Sequence, residues 1–318
     1  MQTAFPKAVS PSRSLVLLGL VIALAAATAP AQTADLRWRW TPGTTDRFRL
    51  VESMHQTVSG DEPVELDWIR EIEFTQRVDA EGDGVTVIRT FDAVAVRVTR
   101  SDTPDAVRYD SRDPSTQTAA AHPLVVPFTQ MVGRELRLRL DAESRVVAVN
   151  GPDELLRAML GPLEQSAPGL SGLLPAPPPS RRLVEQTQAA LDLIPNRRVR
   201  RGQSWPVEVP HEVPLVGSLD SAVTAALERV RRGVATVRVE GKFTQTEGEA
   251  GATLLELKRS AITGEIEFDL QRGQPNRQRL DIESSWSAAS DLLDALGAEP
   301  TEQTLRQTAE LTRLSQRP

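Results

Sequence analysis

The sequence predicts a mainly β protein with accessory helices, its long antiparallel strands forming a curved or half-barrel-like sheet. Three observations carry this prediction. Segment after segment from Asp35 to Trp286 alternates apolar and polar residues, the period-two pattern of strands with one dry face. Short turns rich in Gly, Asp and Pro separate these segments, so neighbours in sequence pair as hairpins. Helical spacing is confined to the middle of the chain and its end.

The N-terminus reads as a targeting segment. Lys7 and Arg13 precede the apolar run Leu15 to Ala27, and Ala29-Pro30-Ala31 has the small-x-small form of a cleavage site. Residues 1–31 are therefore expected to be a secretory signal peptide, cleaved near Ala31. The apolar run is shorter than the roughly 20 residues a membrane anchor needs. No later segment is long or apolar enough to span, so the expected product is a soluble extracytoplasmic protein, periplasmic or secreted. The chain has no cysteine, which excludes both disulfides and a lipidated cysteine, and leaves the core to hold the fold. Net charge is −6, and loss of Lys7 and Arg13 makes it more negative still. An acidic chain of this kind is a poor nucleic-acid binder.

The exported chain opens with Asp35-Leu-Arg-Trp-Arg-Trp40 as a strand, turns at Thr41-Pro-Gly43 and continues extended from Arg47 to Val58. Glu65–Arg100 is the clearest pair of strands. Leu66, Trp68, Ile72, Phe74 and Val78 share one parity, Glu65, Asp67, Glu71, Glu73 and Arg77 the other, and Asp79-Ala-Glu-Gly-Asp-Gly84 makes the turn. In the return strand the apolar phase slips near Phe91-Asp92-Ala93, as either a β-bulge or a strand buried on both faces would make it, the bulge being the preferred reading. Short strands follow at Ala106–Ser111, at Leu136–Leu140 and at Val146–Val149, with a mixed loop and short helix ending at Gly133.

Pro152 suits a first helical position, with Asp153 and Glu154 in the first turn. Leu155, Leu156, Met159 and Leu160 then form a helical stripe that Gly161-Pro162 is expected to break. Residues 167–180 read as a Pro-rich connector. Ser180 starts a second helix to about Leu193, ended by Pro195-Asn196. The β pattern resumes in Gly202–Val209, in Leu219–Val230 (where helical spacing also fits), in Val234–Phe243, in Leu254–Lys258, in Ile262–Leu270 and in Leu280–Trp286. Beyond Ser287, Leu292, Leu293 and Leu296 have helical spacing, and a weak amphipathic run follows from Thr301. The expected organisation is thus an N-terminal β half (32–150), a helical and Pro-rich connector (151–195), a C-terminal β half (196–287) and a helical tail (288–318). Phe-Thr-Gln occurs in both halves, at Phe74 and Phe243, so a distant duplication is an open alternative.

Several short signatures occur together: Leu36-Arg-Trp-Arg-Trp40 with Gly43, then Gly84-Val85-Thr86-Val87, Tyr109-Asp110-Ser111, Val149-Asn150-Gly151-Pro152 and Gly202-Gln-Ser-Trp205. In these the chain resembles a family of uncharacterised, signal-bearing bacterial envelope proteins. The resemblance implies a β-rich fold outside the cytoplasm and supplies no functional residues. A curved sheet around helices would also resemble periplasmic lipoprotein and lipid carriers in architecture alone.

No catalytic constellation emerges. Asp79-x-Glu81-x-Asp83-Gly84 opens like a calcium loop, but an EF-hand needs an acid at its twelfth position, which here is Thr90, and strands flank it. His55, His122 and His211 are isolated, and without cysteine a zinc site would need carboxylate help. There is no Gly-x-Ser-x-Gly elbow. Asp67 with Glu71, and Glu265 with Glu267, could form acid pairs for glycoside hydrolysis, yet they occupy the wet faces of alternating strands. Arg197-Arg198 and Arg200-Arg201 form a basic cluster before a strand, and Arg181-Arg182 starts a helix. They could contact anionic lipid or polyanion, but read rather as solvated turns, and Pro175–Pro179 reads as a spacer rather than a polyproline ligand. The expected function is therefore that of a non-catalytic envelope protein, without metal or cofactor, acting by binding or structure on an unidentified partner. Two alternatives remain: a carrier of a hydrophobic ligand (a lipid or lipoprotein acyl chain), and a hydrolase with an acidic site. For the carrier, Leu66, Trp68, Ile72 and Phe74 are the candidate lining residues if a cavity exists.

Overall fold

The computed structural model describes residues 32–60, 63–103, 105–122, 124–166, 180–213, 217–246, 255–288 and 302–314. The expected signal peptide, most of the Pro-rich connector, the spacer prolines and Leu292–Leu296 lie outside them. The strands, in chain order, are β1 (Thr33–Leu36), β2 (Thr45–Val58), β3 (Val64–Glu81), β4 (Gly84–Arg100), β5 (Val107–Asp110), β6 (Glu135–Leu140) and β7 (Val146–Asn150). Then come β8 (Arg197–Arg200), β9 (Ser204–Val213), β10 (Gly217–Arg231), β11 (Val234–Thr246), β12 (Leu255–Asp269), β13 (Gln274–Ala288) and β14 (Glu302–Leu314). A 3-10 turn (Pro114–Ala121) and three helices, α1 (Val126–Thr129), α2 (Pro152–Ser166) and α3 (Ser180–Asp192), complete the set.

The fold class is as the alternation predicts: mostly β, with one large antiparallel sheet of 12 strands that does not close into a barrel. Its order is β7-β6-β4-β3-β2-β14-β13-β12-β11-β10-β9, with β5 beside β4. The two sequence halves are therefore the two wings of one sheet, joined where β2 meets β14. The bulge anticipated in β4 is present: Glu73 pairs with Ala93 and Phe74 with Phe91, leaving Asp92 unpaired. Its carboxylate accepts a hydrogen bond from Thr75 Oγ1 at 2.7 Å. The bulge lets Val87 and Phe91, then Val94, Val96 and Val98, all face the same buried side.

Five expectations are corrected. The opening strand stops at Leu36 and pairs with β8 in a separate two-stranded ribbon, because Trp38 and Trp40 leave the strand to stack on each other, ring centroids 5.3 Å apart. Trp38 Nε1 also donates to Leu191 O at 3.0 Å, which ties this segment to the end of α3. The basic residues Arg197–Arg200 are thus strand rather than turn. Helix α2 continues through Gly161-Pro162 to Ser166; a proline removes one helical hydrogen bond, and one is too little to end the helix at that point. The described parts of the expected strands Leu254–Lys258 and Ile262–Leu270 belong to a single strand, β12 (Leu255–Asp269), with a second bulge at Lys258 that reverses its phase. The described part of the expected helical tail is instead strand β14, Glu302–Leu314, held by ladders on both sides to β2 and β13.

The apolar faces meet in three clusters on one side of the sheet. Phe48, Ile72, Phe74, Phe91, Val94 and Val96 pack under the 3-10 turn, α1 and α2, whose Val125, Leu155 and Met159 cover them. On the other wing, Val223, Leu227, Val237, Ile266 and Phe268 are covered by Ala34, Leu36, Val199 and the α3 residues Ala189 and Leu193. A third cluster joins Val78, Val87, Leu138, Leu140 and Val146 to Leu191, Trp38 and Trp40. Helix α3 contacts both β7 and β9, the opposite ends of the strand path. Gln188 accepts the backbone N–H of Val146 on β7 at 2.7 Å, and Trp205 Nε1 on β9 donates to Asp192 O at 3.2 Å. The sheet therefore coils until one helix bridges its two edges, which satisfies part of their unpaired backbone.

The other side is charged. Cross-strand pairs include Arg47–Glu73 at 3.0 Å, Arg277–Glu310 at 2.9 Å and Arg306–Glu283 at 2.9 Å. A transmembrane barrel turns an apolar band outward; this exterior is the opposite. The Arg277 hydrogen bond holds the Glu310 carboxyl below its usual range, and the Arg279 hydrogen bond does the same for Asp281. A depressed carboxylate stabilises the fold above its unfolded pKa and loses that contribution as pH falls through the folded value. Stability from these pairs should thus be flat at neutral pH and decline below about pH 4. Glu310→Gln should cost under about 1 kcal/mol at pH 7, because the pair is exposed. A denaturant titration of the variant at pH 7 and pH 3 checks this: the difference from the parent should shrink at the lower pH.

Candidate functional site

The β3 candidates divide in two. Ile72 and Phe74 are 3% and 6% exposed and belong to the packed core, with Phe74 stacked on Phe48 at 5.4 Å between centroids. Leu66 and Trp68 lie half-buried at the margin of that cluster. Register extends their row across the sheet: Trp68 pairs with Met54, Met54 with Gln307, and Gln307 with Ile282. The floor they enter is formed by the later part of β2 with β14 and β13. Met54, Leu305, Ala309, Leu280, Ile282 and Trp286 share its face, and all are half-exposed. Leu50 and Leu311 at one side touch the first cluster, and Leu280 and Ile282 at the other touch the second. A trough of mixed character thus runs between two covered wings, its apolar residues interleaved with Gln56, Gln303, Gln307 and Ser284.

One ion pair interrupts this face. Arg70 Nε donates to Glu52 Oε2 at 2.6 Å, and the two side chains are 20% and 15% exposed. The Arg70 guanidinium lies 4.9 Å from the Trp68 ring centroid and 5.1 Å from that of Phe128 on α1. Cation–π contact of this kind holds a partly desolvated guanidinium in place. It also fastens α1 to the sheet at the edge of the trough.

At the end of the strands where β2 begins and β14 ends lies a polar cleft of about 1270 Å³, lined by Arg39, Asp46, Asp269, Arg272, Gln274 and Arg313 among others. The Arg313 side chain is 8% exposed. Its guanidinium lies 5.6 Å from the Phe48 centroid and donates to Gln274 Oε1 at 3.1 Å and Asn276 Oδ1 at 3.3 Å. Arg313 Nε has no hydrogen-bond partner; its nearest acid, Asp46, is 3.9 Å away and also serves Arg272 at 3.3 Å. Burial pushes the Arg313 pKa down, though a guanidinium keeps its charge regardless. One row along, Arg89 donates to Gln76 Oε1 at 3.0 Å and lies 5.6 Å from the Phe74 centroid, and burial lowers its pKa too.

The remaining sequence candidates do not converge on this face. His55 Nδ1 lies 2.8 Å from Asp67 Oδ1 and His55 Nε2 lies 3.2 Å from Thr57 Oγ1, a cross-strand contact that register alone creates. The His55 and Asp67 side chains are 39% and 59% exposed, and β2 is laddered on both sides. His55 and Asp67 line a cavity of about 490 Å³ together with Ser53, Trp68, Arg97 and Arg306; an acyl-transfer triad would further need backbone donors aimed at an oxyanion and exclusion of water. His122 Nδ1 accepts the Leu124 backbone N–H at 3.2 Å, while the His211 side chain lies outside the described set. In the Asp79–Gly84 loop Asp79 pairs with Arg77 at 2.9 Å, Glu81 accepts from Thr86 Oγ1, and Gly82 has φ 60°, a turn conformation suited to glycine. Glu71 lies 3.7 Å from Arg49 on the charged face. Among the described residues no group of three or more His, Cys, Asp or Glu could hold a metal ion.

Fold and trough together define a class: a single coiled antiparallel sheet with a charged exterior and a partly lined apolar interior. The chain belongs to a family of unknown function (DUF6263), matched over residues 86–275. No curated protein matches it. Among solved structures it is similar to one described as lipid-protein interactions in lipovitellin, with TM-score 0.48 and 9% identity over 87% of this chain. The chain spans 26% of that protein's length. The β domain of the Bordetella autotransporter BrkA is a second match, with TM-score 0.21 and 10% identity, covering 84% of this chain and 98% of that one. Among the described residues no helix is long and apolar enough to cross a membrane.

Proposed function

We propose that this protein is an exported, non-catalytic envelope protein that carries a hydrophobic ligand, a lipid or lipoprotein acyl chain, on the concave face of its sheet. The observation that carries the reading is the half-exposed floor of Met54, Leu305, Ala309, Ile282 and Trp286 between two fully packed wings. A sheet face normally buries its apolar side against a second layer; here cover is complete over the wings and partial at the centre. The floor is long enough for one acyl chain. From Leu305 to Arg313 is eight residues of β14, about 27 Å at 3.4 Å per residue, against about 15 Å for half the hydrocarbon thickness of a bilayer. Export is supported by the basic lead, apolar run and Ala29-Pro30-Ala31 site. A non-catalytic role is supported by the exposure of the His55, Asp67 and Thr57 group.

Native mass spectrometry of protein recovered from the envelope tests both export and lipid carriage. The expected species lacks residues 1–31 and retains lipid. The paired substitution Met54→Asp with Leu305→Asp should weaken binding of a fluorescent fatty acid at least about tenfold, a change of about 1.4 kcal/mol. It should leave the unfolding midpoint nearly unchanged, since both sites are half-exposed. Lipid-free protein together with no probe binding would sink the carrier reading.

A further inference from the structure

The cleft at the end of the trough contains more positive charge than its own acids match. Arg39, Arg272 and Arg313 face Asp46 and Asp269. Asp269 is engaged by its own turn, its Oδ1 accepting the backbone N–H groups of Gln271 at 2.9 Å and Arg272 at 3.0 Å. Asp46 is shared by Arg272 and Arg313. Among the described residues the Arg39 guanidinium donates to a carbonyl, Gln271 O at 3.2 Å, and its stem lies against Gly273, where a Cβ would fall 2.4 Å from Arg39 Cγ. Most telling is Arg313, more than nine-tenths buried with Nε lacking a hydrogen-bond partner. Desolvating a cation is costly unless an anion compensates, and one shared carboxylate at 3.9 Å compensates little.

Position connects this charge to the trough. Arg313 pairs with Phe48 and Leu311 with Leu50, so Arg313, Leu311, Ala309, Gln307 and Leu305 occupy successive same-face places on β14. Moving away from the cleft, a ligand meets guanidinium first and apolar surface after.

We propose that the Arg39–Arg272–Arg313 cleft binds the anionic phosphate head group of a phospholipid whose tail lies along β14. This rests on the carrier reading and adds the ligand's charge class. Arginines suit such a group because a guanidinium fork matches phosphate oxygens in pairs.

The test measures binding of the full exported chain to phosphatidylglycerol, to phosphate-free diacylglycerol with the same acyl chains, and to inorganic phosphate. The parent should bind phosphatidylglycerol at least about tenfold more tightly than diacylglycerol, the gain of roughly one charge-assisted contact. The doubly substituted R39Q/R272Q protein alters exposed side chains and should fold normally. It should lose that preference while keeping its diacylglycerol affinity within about twofold. R313Q should lose it as well, and R39Q/R272Q decides the matter should R313Q fail to fold. Equal binding of both lipids, or a preference unchanged in R39Q/R272Q, overturns the head-group assignment and leaves the trough intact. Binding of inorganic phosphate as tightly as phosphatidylglycerol overturns the lipid source in favour of a free anion. Binding of neither lipid removes the carrier reading itself.

Discussion

Phe268→Ala is expected to destabilise the fold by about 3–5 kcal/mol, the range for emptying a fully packed aromatic site. Phe268 is 0% exposed and meets the edge of Trp38 at 5.6 Å between centroids in a T-shaped contact, so truncation loses both buried area and an aromatic pair. Trp38 stacks on Trp40 and is bonded to the end of α3. The cavity therefore opens where the coiled sheet, its bridging helix and the N-terminal segment come together. Urea unfolding should show a lower midpoint at nearly constant slope, with red-shifted tryptophan emission in the folded state. Phe268→Leu, closer in volume, should cost under about 1.5 kcal/mol. Equal losses for the two variants would mean that this core does not depend on the ring.

The second large effect is expected at the trough margin. Glu52→Leu removes the only carboxylate bonded to Arg70 among the described residues and leaves a guanidinium facing Trp68 and Phe128. Breaking a fully buried pair costs about 3–5 kcal/mol. Side-chain exposures of 15% and 20% reduce this to about 2–3 kcal/mol, since water screens the stranded charge in part. Adding Arg70→Met to the same chain should recover most of the loss, because the damage comes from an unpaired charge rather than from a missing bond. A double-mutant cycle on unfolding free energies measures this directly. If the double variant is no more stable than Glu52→Leu, the pair is acting as surface charge and the site is wetter than its burial indicates.

Much of the fold was legible because period-two patterning is local. Leu66 to Val78 marked its buried face outright, and the slip at Asp92 betrayed a bulge. The slip between Leu257 and Ile262 carried the same message in β12 but resembled two short strands, since an unpaired Lys258 looks like a turn. Strand β14 was misread because Leu305 and Ala309 are four apart, as on a helix, while polar Gln303 and Gln307 hide the alternation. Thr304, Thr308 and Thr312 on the opposite face were the available clue, being β-branched and at even spacing. What placed the segment in the sheet was pairing with Ser53 and Asp281, contacts no local window contains. The trough and the arginine cleft were hidden for that reason. Asp46, Arg272 and Arg313 come together only after the last strand is set beside the second. Contact of His55 with Asp67, by contrast, follows from the register of one hairpin.

The position of β14 also governs the order in which the molecule can be completed. Each wing is built mainly of neighbours in sequence, so most of its ladders close over short connections at modest entropic cost, the pairing of β4 with β6 being the longer exception. The seam is different: Thr308 pairs with Ser53 across most of the chain. Until residues 302–314 are in place, β2 and β13 are both bare edges in the middle of what will be one sheet, open to pairing with another chain. Strand β14 is thus a keystone, and the polypeptide remains two separate arches, without a trough, until it is set.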